Sequence, residues 1–302
     1  MRDETSDEPA ENAPDLGRPD WPEEFDPLVE DLGAPLSVHR TSPAQAFRRL
    51  VYGFAMIGLG AIVNYLWWFA WGGPILIDKF SLLFLFGIPI YGVALIYRSF
   101  ADRGLWVMVY PTGVLRWQRG TIVSFAWPEI ANVTFHRVQA DGGLKRLTDS
   151  EGELIGAWLP IENHGSRFFG SHVALEREDG VEGVFPSSLE DYGVLAFHIQ
   201  TRTFTEQYPR MLEAFQAGQR ILFGELAIDA MGLHVGRNTL LWSDFGGATI
   251  AQAKLVIARS GKWRSWKELR IVDVPFIHLL LSMIEDGRRR GIPTVTDADD
   301  EE

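Results

Sequence analysis

Two stretches, VYGFAMIGLGAIVNYLWWFAW (residues 51–71) and FSLLFLFGIPIYGVALIY (80–97), decide how this chain is read. Neither contains Asp, Glu, Lys or Arg. As helices they reach roughly 31 and 27 Å, close to the roughly 30 Å of a bilayer's hydrocarbon core. Core helices of water-soluble proteins rarely run so far without a charge. A signal peptide is not expected, because 50 residues precede the first run and a second run follows at once. The expectation is a transmembrane helical hairpin over 48–98, joined by GGPILIDK.

Basic flanks set its orientation. Arg40, Arg48 and Arg49 precede the first span, Arg98 and Arg103 follow the second, and the joint carries Lys79. Both termini are therefore expected in the cytoplasm, in an inner-membrane protein. Trp67, Trp68 and Trp71 at one end, with Tyr97 and Trp106 at the other, suit interfacial belts. Asn64 is expected to hydrogen-bond the partner helix, and Pro89 to bend the second span. Neither span has a small-xxx-small pair, so no glycine-type packing face is expected.

The formal charge of −12 belongs to the tails. Residues 1–47 hold 12 acidic and 3 basic residues, and 297–302 hold five acidic ones. Residues 1–47 read as a disordered acidic tail, and 292–302 as another. Trp21, Phe25 and Leu28, set among acids, offer an alternative reading as a docking motif. Acidic tails argue against nucleic acid as a partner. The absence of Cys excludes disulfides and thiolate metal sites.

Beyond the spans the period changes. GLWVMVY (104–110), VLRWQRG (114–120) and TIVSFAW (121–127) read as strands, with a turn at Pro111-Thr112-Gly113. HVALERE and VEGVF flank a hairpin turn at Asp179-Gly180, and residues 140–170 read as a loop-rich insertion. Ser188 reads as the N-cap of a helix burying Leu189, Tyr192, Leu195, Ala196 and Ile199. A second helical piece runs over 203–218, with Pro209 near its start. The order then repeats: RILFGELAID, LHVG, TLLW, the hairpin AKLVIAR/WRSWKELRIV, and a last helix PFIHLLLSMIEDGRRRG. A turn Gly, two strands and Trp-x-acid-apolar occur twice, as Gly113 with Trp127 to Ile130 and as Gly232 with Trp242 to Phe245. The Trp is expected to fill the core, and the acid to accept amide hydrogens at the bend. The domains expected are 103–202 and 219–291, joined by a helical linker over 203–218.

This order resembles the pleckstrin-homology-like (PH-like) fold as bacteria use it. AFQAGQRILFGELAIDAMGLHV, LLWSDF, WRSWKELRIVDVP and a Leu-rich helix are similar to an uncharacterised bacterial family with a two-span hairpin and tandem PH-like domains, over about 95 to 291. The fold class implied is an α+β membrane protein: a helical hairpin followed by two PH-like β-barrel or sandwich domains, each closed by a helix. The resemblance brings no catalytic residues. Lipid-binding members of the wider fold use a basic cluster in the first hairpin loop, and the loop at Pro111 to Gly113 has none.

No motif for chemistry stands. Gly165 and Gly170 have phosphate-loop spacing, but Ser171 sits where Lys is needed. His164 and His172 can approach one another without a third ligand. No catalytic, cofactor or metal residue is therefore assigned, and no cofactor is expected. The candidate interaction surface is Lys262, Trp263, Arg264, Trp266 and Lys267, with Arg264 and Trp266 on one strand face and Trp263 and Lys267 on the other. The function expected is a non-enzymatic, membrane-anchored interaction, scaffold or envelope-sensing module with a protein partner. Anionic lipid binding is the alternative, and a membrane-bound hydrolase built on 140–170 the second.

Overall fold

The computed structural model describes residues 32–69, 86–136, 144–148, 154–160 and 171–290. It is an α+β chain of antiparallel sheets with a helical part. Its first strand, β1 (Ser37–Arg40), precedes the helices. Helices α1 (Pro43–Phe69) and α2 (Ile88–Ala101) follow, and then strands β2 (Leu105–Val109), β3 (Gly113–Gln118) and β4 (Thr121–Ala126). These four strands make one sheet in the order β1-β2-β3-β4. The register pairs Ser37 with Val109 and Arg40 with Trp106.

This corrects the sequence reading. Residues 37–47, expected within a disordered tail, form a strand and the first turn of a helix; residues 1–31 lie outside the described residues, as do 291–302. The helical pair does not stand ahead of the first β-unit. It is inserted into that unit's first turn, between β1 and β2.

The second sheet of unit 1 is β5 (Ile130–Phe135), β8 (His172–Arg177) and β9 (Glu182–Pro186). Between β5 and β8 lies a separate ribbon, β6 (Lys145–Thr148) with β7 (Leu154–Trp158), inside the segment read as an insertion. Helix α3 (Tyr192–Gln216) closes the unit. The expected face is buried: Leu189, Tyr192, Leu195, Ala196 and Ile199 all enter the core. Three details differ. The helix starts at Tyr192, with Asp191 as cap residue at φ 50. Pro209 lies inside one continuous helix, not at the start of a second. So the expected linker 203–218 is mostly core helix, through Thr203, Phe204 and Tyr208. Tertiary packing on both sides outweighs the cost of one missing helical hydrogen bond there.

Unit 2 repeats the plan: β10 (Ile221–Phe223), β11 (Leu226–Asp229), β12 (Gly232–Val235) and β13 (Asn238–Leu241) in one sheet, and β14 (Phe245–Ala251), β15 (Lys254–Arg259) and β16 (Ser265–Arg270) in another. Helix α4 (Ile277–Arg290) follows. RILFGELAID, read as one strand, folds back at Gly224, whose φ is +66 and whose Cβ would meet the Asp273 carbonyl oxygen at 2.2 Å. This two-residue turn stands where unit 1 carries both helices.

The repeat holds at the level of single bonds. Trp127 Nε1 donates to the Tyr110 carbonyl at 3.2 Å, and Trp242 Nε1 to the Asp229 carbonyl at 2.9 Å. Tyr110 and Asp229 each lie three residues before the turn glycine. The backbone amides of Trp127 and Trp242 reach the residue just before that glycine, Thr112 and Met231. A Cβ on Gly113 would meet the Phe125 carbonyl oxygen at 2.4 Å, and one on Gly232 the Leu240 oxygen at 2.1 Å. Close approach is what both glycines serve. The acids depart from expectation: their carbonyl oxygens, not their carboxylates, accept the amides of Glu178 and Ser260. The Asp244 carboxylate instead takes Arg259 Nη2 at 2.5 Å.

The two units share one hydrophobic core. Phe276 N donates to the Val133 carbonyl at 2.8 Å, and His278 meets the Phe135 ring edge-on at 5.7 Å. In the helical pair, Gly53 and Gly60 on α1 face Gly92 and Pro89 on α2. A Cβ on Gly92 would lie 2.6 Å from the Gly53 carbonyl oxygen. A glycine packing face is therefore present, at a spacing of seven residues where the sequence was searched at four. Pro89 is the second residue of α2 and follows a π-helical turn at Phe86 and Gly87, while the part of the run before it lies outside the described residues. Asn64 Nδ2 donates to Gly60 O of its own helix at 3.0 Å.

Among the described residues, α1 is long and apolar enough to cross a membrane, and 11 % of its most apolar window is buried in the protein. α2 has 14 residues, short of a span. Residues 70–85, which hold part of the expected second run, lie outside the described residues.

Candidate functional site

The base of the helical pair is fixed to unit 1 through Asp102, the residue that ends α2. Arg49 Nη1 on α1 donates to Asp102 Oδ2 at 2.6 Å, and Ser188 Oγ donates to the same oxygen at 3.0 Å. Thr41 Oγ1 donates to the Asp102 carbonyl at 2.6 Å. From the other side Gln118 Nε2 reaches the Ala101 carbonyl at 2.6 Å, and Arg119 Nη2 the Phe100 carbonyl at 3.0 Å. The β3–β4 hairpin thus supplies donors to carbonyls at the helix end, where Phe100 O also accepts Arg103 N at 3.3 Å. Ser188, expected as a helix cap, serves this junction instead. Its loop also pairs with the chain leaving β1, through Ser42 N to Ser188 O and Glu190 N to Arg40 O.

A second polar cluster sits where α3, α4 and β6 meet. Arg146 donates to Asp286 Oδ1 at 2.5 Å and pairs with Glu285 at 3.1 Å, while Tyr208 donates its hydroxyl to the other Asp286 oxygen. Deeper, Gln200 accepts from Leu159 N at 2.7 Å and donates to Leu159 O at 3.1 Å, extending the backbone pairing of the strand end onto the helix. His278 is buried and its Nε2 lies 3.2 Å from Thr203 Oγ1. Burial pushes its pKa down to about 3. Each of these groups joins an inserted ribbon or the second unit to α3.

On the outer face of the β10–β13 sheet, Thr239, His234 and Asp229 line up. Thr239 Oγ1 and His234 Nδ1 are 3.0 Å apart, and His234 Nε2 is 2.8 Å from Asp229 Oδ1. The row has the outline of a hydroxyl–imidazole–carboxylate relay. Asp229, however, also accepts the amides of Met231 and Gly232 and two bonds from Arg220. Burial raises its pKa, but His234 and Arg220 outweigh that and hold it at about 2. Asp229 thus shapes the β11–β12 turn, with His234 as one of its donors.

The expected interaction surface lies at the β15–β16 hairpin. Lys262, Trp263 and Arg264 form its loop, and Trp266 and Lys267 open β16, which is an edge strand. Trp263 is 87 % exposed, with the Arg264 guanidinium 4.5 Å from its ring centroid. Lys262, Arg264 and Lys267 form no ion pair with a described residue. The expected alternation is broken, because the ladder shifts register between Lys267 and Ser265. Trp266 is the extra residue, and it turns inward to pack on the core. Lys262, Trp263 and Arg264 are exposed, and Lys267 is half-buried. The matching hairpin in unit 1 carries Glu178 and Asp179 instead.

His164 lies outside the described residues. His172 packs on His136, ring centroids 4.0 Å apart. Burial, then the His136 and Arg98 charges, lower its pKa to about 4. No group of three metal-binding side chains forms among the described residues.

Residues 160–291 match a family of unknown function (DUF6585). The matched part takes in β8, β9, α3 and the whole of unit 2, and it leaves out the helical pair and the first sheet of unit 1. No curated protein and no solved structure matches the chain.

Proposed function

We propose that this protein is a membrane-anchored, non-enzymatic interaction module that presents two PH-like units at the cytoplasmic face. Four strands, three strands and a closing helix, twice over, support the PH-like reading. The observation that carries the proposal is the helical pair built into the first turn of unit 1. Phe47, Phe54, Ile62, Tyr65, Phe69, Ile90, Val93 and Tyr97 are all exposed on it. An apolar surface of that extent belongs in lipid. The sequence run 80–97 is apolar enough to support a second crossing, and the basic flanks favour both β-units inside. Because Asp102 clamps the pair to the loop that starts α3, a change in the membrane-embedded helices is passed to the shared core of both units.

The partner suggested is an acidic protein segment at the β15–β16 hairpin, held by Lys262, Arg264 and Lys267 with Trp263 as apolar anchor. The exposure of Trp263 favours one second reading, an anionic bilayer surface. A PH-type headgroup pocket is not supported. In this topology the first hairpin loop joins β1 to β2, not β2 to β3 as the sequence reading took it. In unit 1 that loop holds the helices, and in unit 2 it is Gly224-Glu225. Crosslinking in native membranes tests the reading. The wild-type chain should capture a discrete partner that K262E/R264E/K267E loses. Capture unaffected by those changes would overturn the site, and a chain released from membranes by alkaline carbonate would overturn the anchor.

A further inference from the structure

The β3–β4 hairpin of unit 1 is longer than its counterpart in unit 2, and the added part meets the base of the helical pair. Aligned on Gly113 and Gly232, the pair Arg116–Val123 corresponds to the pair Val235–Asn238. In unit 2 the turn Gly236-Arg237 closes the hairpin directly beyond that pair. In unit 1 Trp117 pairs with Ile122 and Gln118 with Thr121 before the turn at Arg119-Gly120. Each strand is thereby longer by about 7 Å. That length carries Gln118 and Arg119 to the Ala101 and Phe100 carbonyls at the end of α2. Unit 2 has no helices in its first turn, and its hairpin lacks the added pairs.

The added part displays apolar and cationic groups together. Trp106, Trp117 and Ile122 form one cross-strand row. The row faces away from the core that Val107 and Val109 enter. Both tryptophans are half-buried, and Ile122 is exposed. Phe100, whose carbonyl Arg119 holds, is exposed on the last turn of α2. Arg103 and Arg119 are exposed as well, and neither forms an ion pair with a described residue. The junction's carboxylates are already taken, Asp102 by Arg49 and Glu190 by Arg40. Two cations are therefore left beside a row of tryptophans and an exposed Ile and Phe.

We infer that this end of the sheet docks into the headgroup layer of the bilayer that holds the helices. Phe100, Trp117 and Ile122 reach the acyl boundary, and Arg103 and Arg119 take the phosphates of anionic phospholipid. The inference rests on the membrane anchor proposed above. The level of the helices supports it. Phe47, an exposed aromatic of α1, lies four residues beyond Pro43 at the helix start, about 6 Å along the axis. Phe100 lies one residue before the end of α2. A lipid boundary drawn at these two residues meets the hairpin tip, which is bonded to Phe100. The longer hairpin then acts as a strut that sets the tilt of unit 1 against the membrane. No pocket between loops is involved, only a surface.

The chain lacks Cys, so single cysteines in the full chain can carry an environment-sensitive fluorophore. Thr121→Cys reports the hairpin tip. Thr112→Cys reports the opposite end of β3, about 20 Å away along the strand. Gly58→Cys reports the middle of α1, where a Cβ meets no atom within 4 Å. Each is reconstituted in vesicles of phosphatidylcholine with phosphatidylglycerol, with nitroxide lipids as shallow or deep quenchers. The label at Thr121 should be quenched by the shallow lipid several-fold more strongly than the label at Thr112. The label at Gly58 should be quenched by the deep one. Changing Arg103→Gln with Arg119→Gln, or omitting phosphatidylglycerol, should shift the ratio of docked to undocked hairpin by roughly an order of magnitude. Quenching at Thr121 then falls towards that at Thr112, with Gly58 unchanged. Quenching at Gly58 without quenching at Thr121 would overturn the docking and leave the anchor standing. No quenching at Gly58 would overturn the anchor, and the docking with it. Quenching at Thr121 that ignores lipid charge would overturn the assignment of phosphates to the arginines. The lipid arm leaves both arginines in place, so it decides that point even if the double variant does not fold.

Discussion

Replacing Asp102 by Ala should loosen the helical pair from unit 1 and destabilise the start of α3. The change removes two bonds to one carboxylate oxygen, from Arg49 at 2.6 Å and from Ser188 at 3.0 Å. The Arg49 and Asp102 side chains are 17 and 23 % exposed, so water screens the pair only in part. A charge-assisted bond of this kind contributes about 1.5–3 kcal/mol and the Ser188 bond about 1 kcal/mol, before water recovers some of the loss. A net cost of about 2 kcal/mol is expected, or a fall of about 4–8 °C in Tm for a domain of this size. The assay is thermal unfolding in detergent followed by tryptophan fluorescence, with hydrogen exchange read at the amides of Ser188 to Leu195. Exchange there should rise in D102A while α4 stays protected. In a double-mutant cycle with Arg49→Ala, the coupling should be about 1 kcal/mol or more. A loss below about 0.5 kcal/mol, or strictly additive single changes, would refute the clamp.

The other predictions concern pH, backbone strain and helix packing. His278 has a folded pKa near 3 against 6.5 unfolded. Between those values the unfolded chain binds a proton that the folded chain refuses, so stability falls as pH falls through that window. The slope should be about 1.4 kcal/mol per pH unit for this residue, and His278→Leu should lower the measured slope of stability against pH by that amount. Gln252 and Ala253 hold φ of 50 and 60 in the β14–β15 turn. Ala253→Gly should therefore stabilise the protein by about 0.5–1 kcal/mol in denaturant titration, where an ordinary exposed Ala→Gly destabilises. Gly92→Val drives a side chain into the Gly53 carbonyl and should cost about 1–3 kcal/mol in the same detergent melt. Gly58→Val has no atom within 4 Å of its Cβ and should be nearly neutral.

The repeat was legible because its anchors are chemically demanding. A glycine pressed against a carbonyl, and a tryptophan whose indole N–H must find one, tolerate few substitutes. Most strands and the buried face of α3 were legible for the ordinary reason that burial imposes a period. What escaped was non-local. Nothing in SVHR announces a strand, because its partner lies beyond two helices. The turn in RILFGELAID is hidden in an apolar run, where Gly224 is its sole mark. Pro209 reads locally as a boundary, yet packing on both units keeps α3 continuous. Of the candidate surface, Lys262, Trp263 and Arg264 are exposed, Lys267 is half-buried, and a bulge turns Trp266, also half-buried, to pack against the core. The junction at Asp102 could not be found by motif, since Arg49, Asp102 and Ser188 come from three distant segments.

The pairing of β1 with β2 around the helices can be measured with one pair of cysteines, since the chain has none of its own. Ser37→Cys with Val109→Cys joins directly opposed positions, within the span a disulfide accepts. A protease site placed in the 72–79 joint then cuts between the helices. The two fragments should stay linked until reductant is added, and the off-register pair Ser37→Cys with Val107→Cys should not link at all. Fragments of the first variant that separate without reductant would mean that β1 does not belong to unit 1, and that the helices stand ahead of the fold rather than inside its first turn.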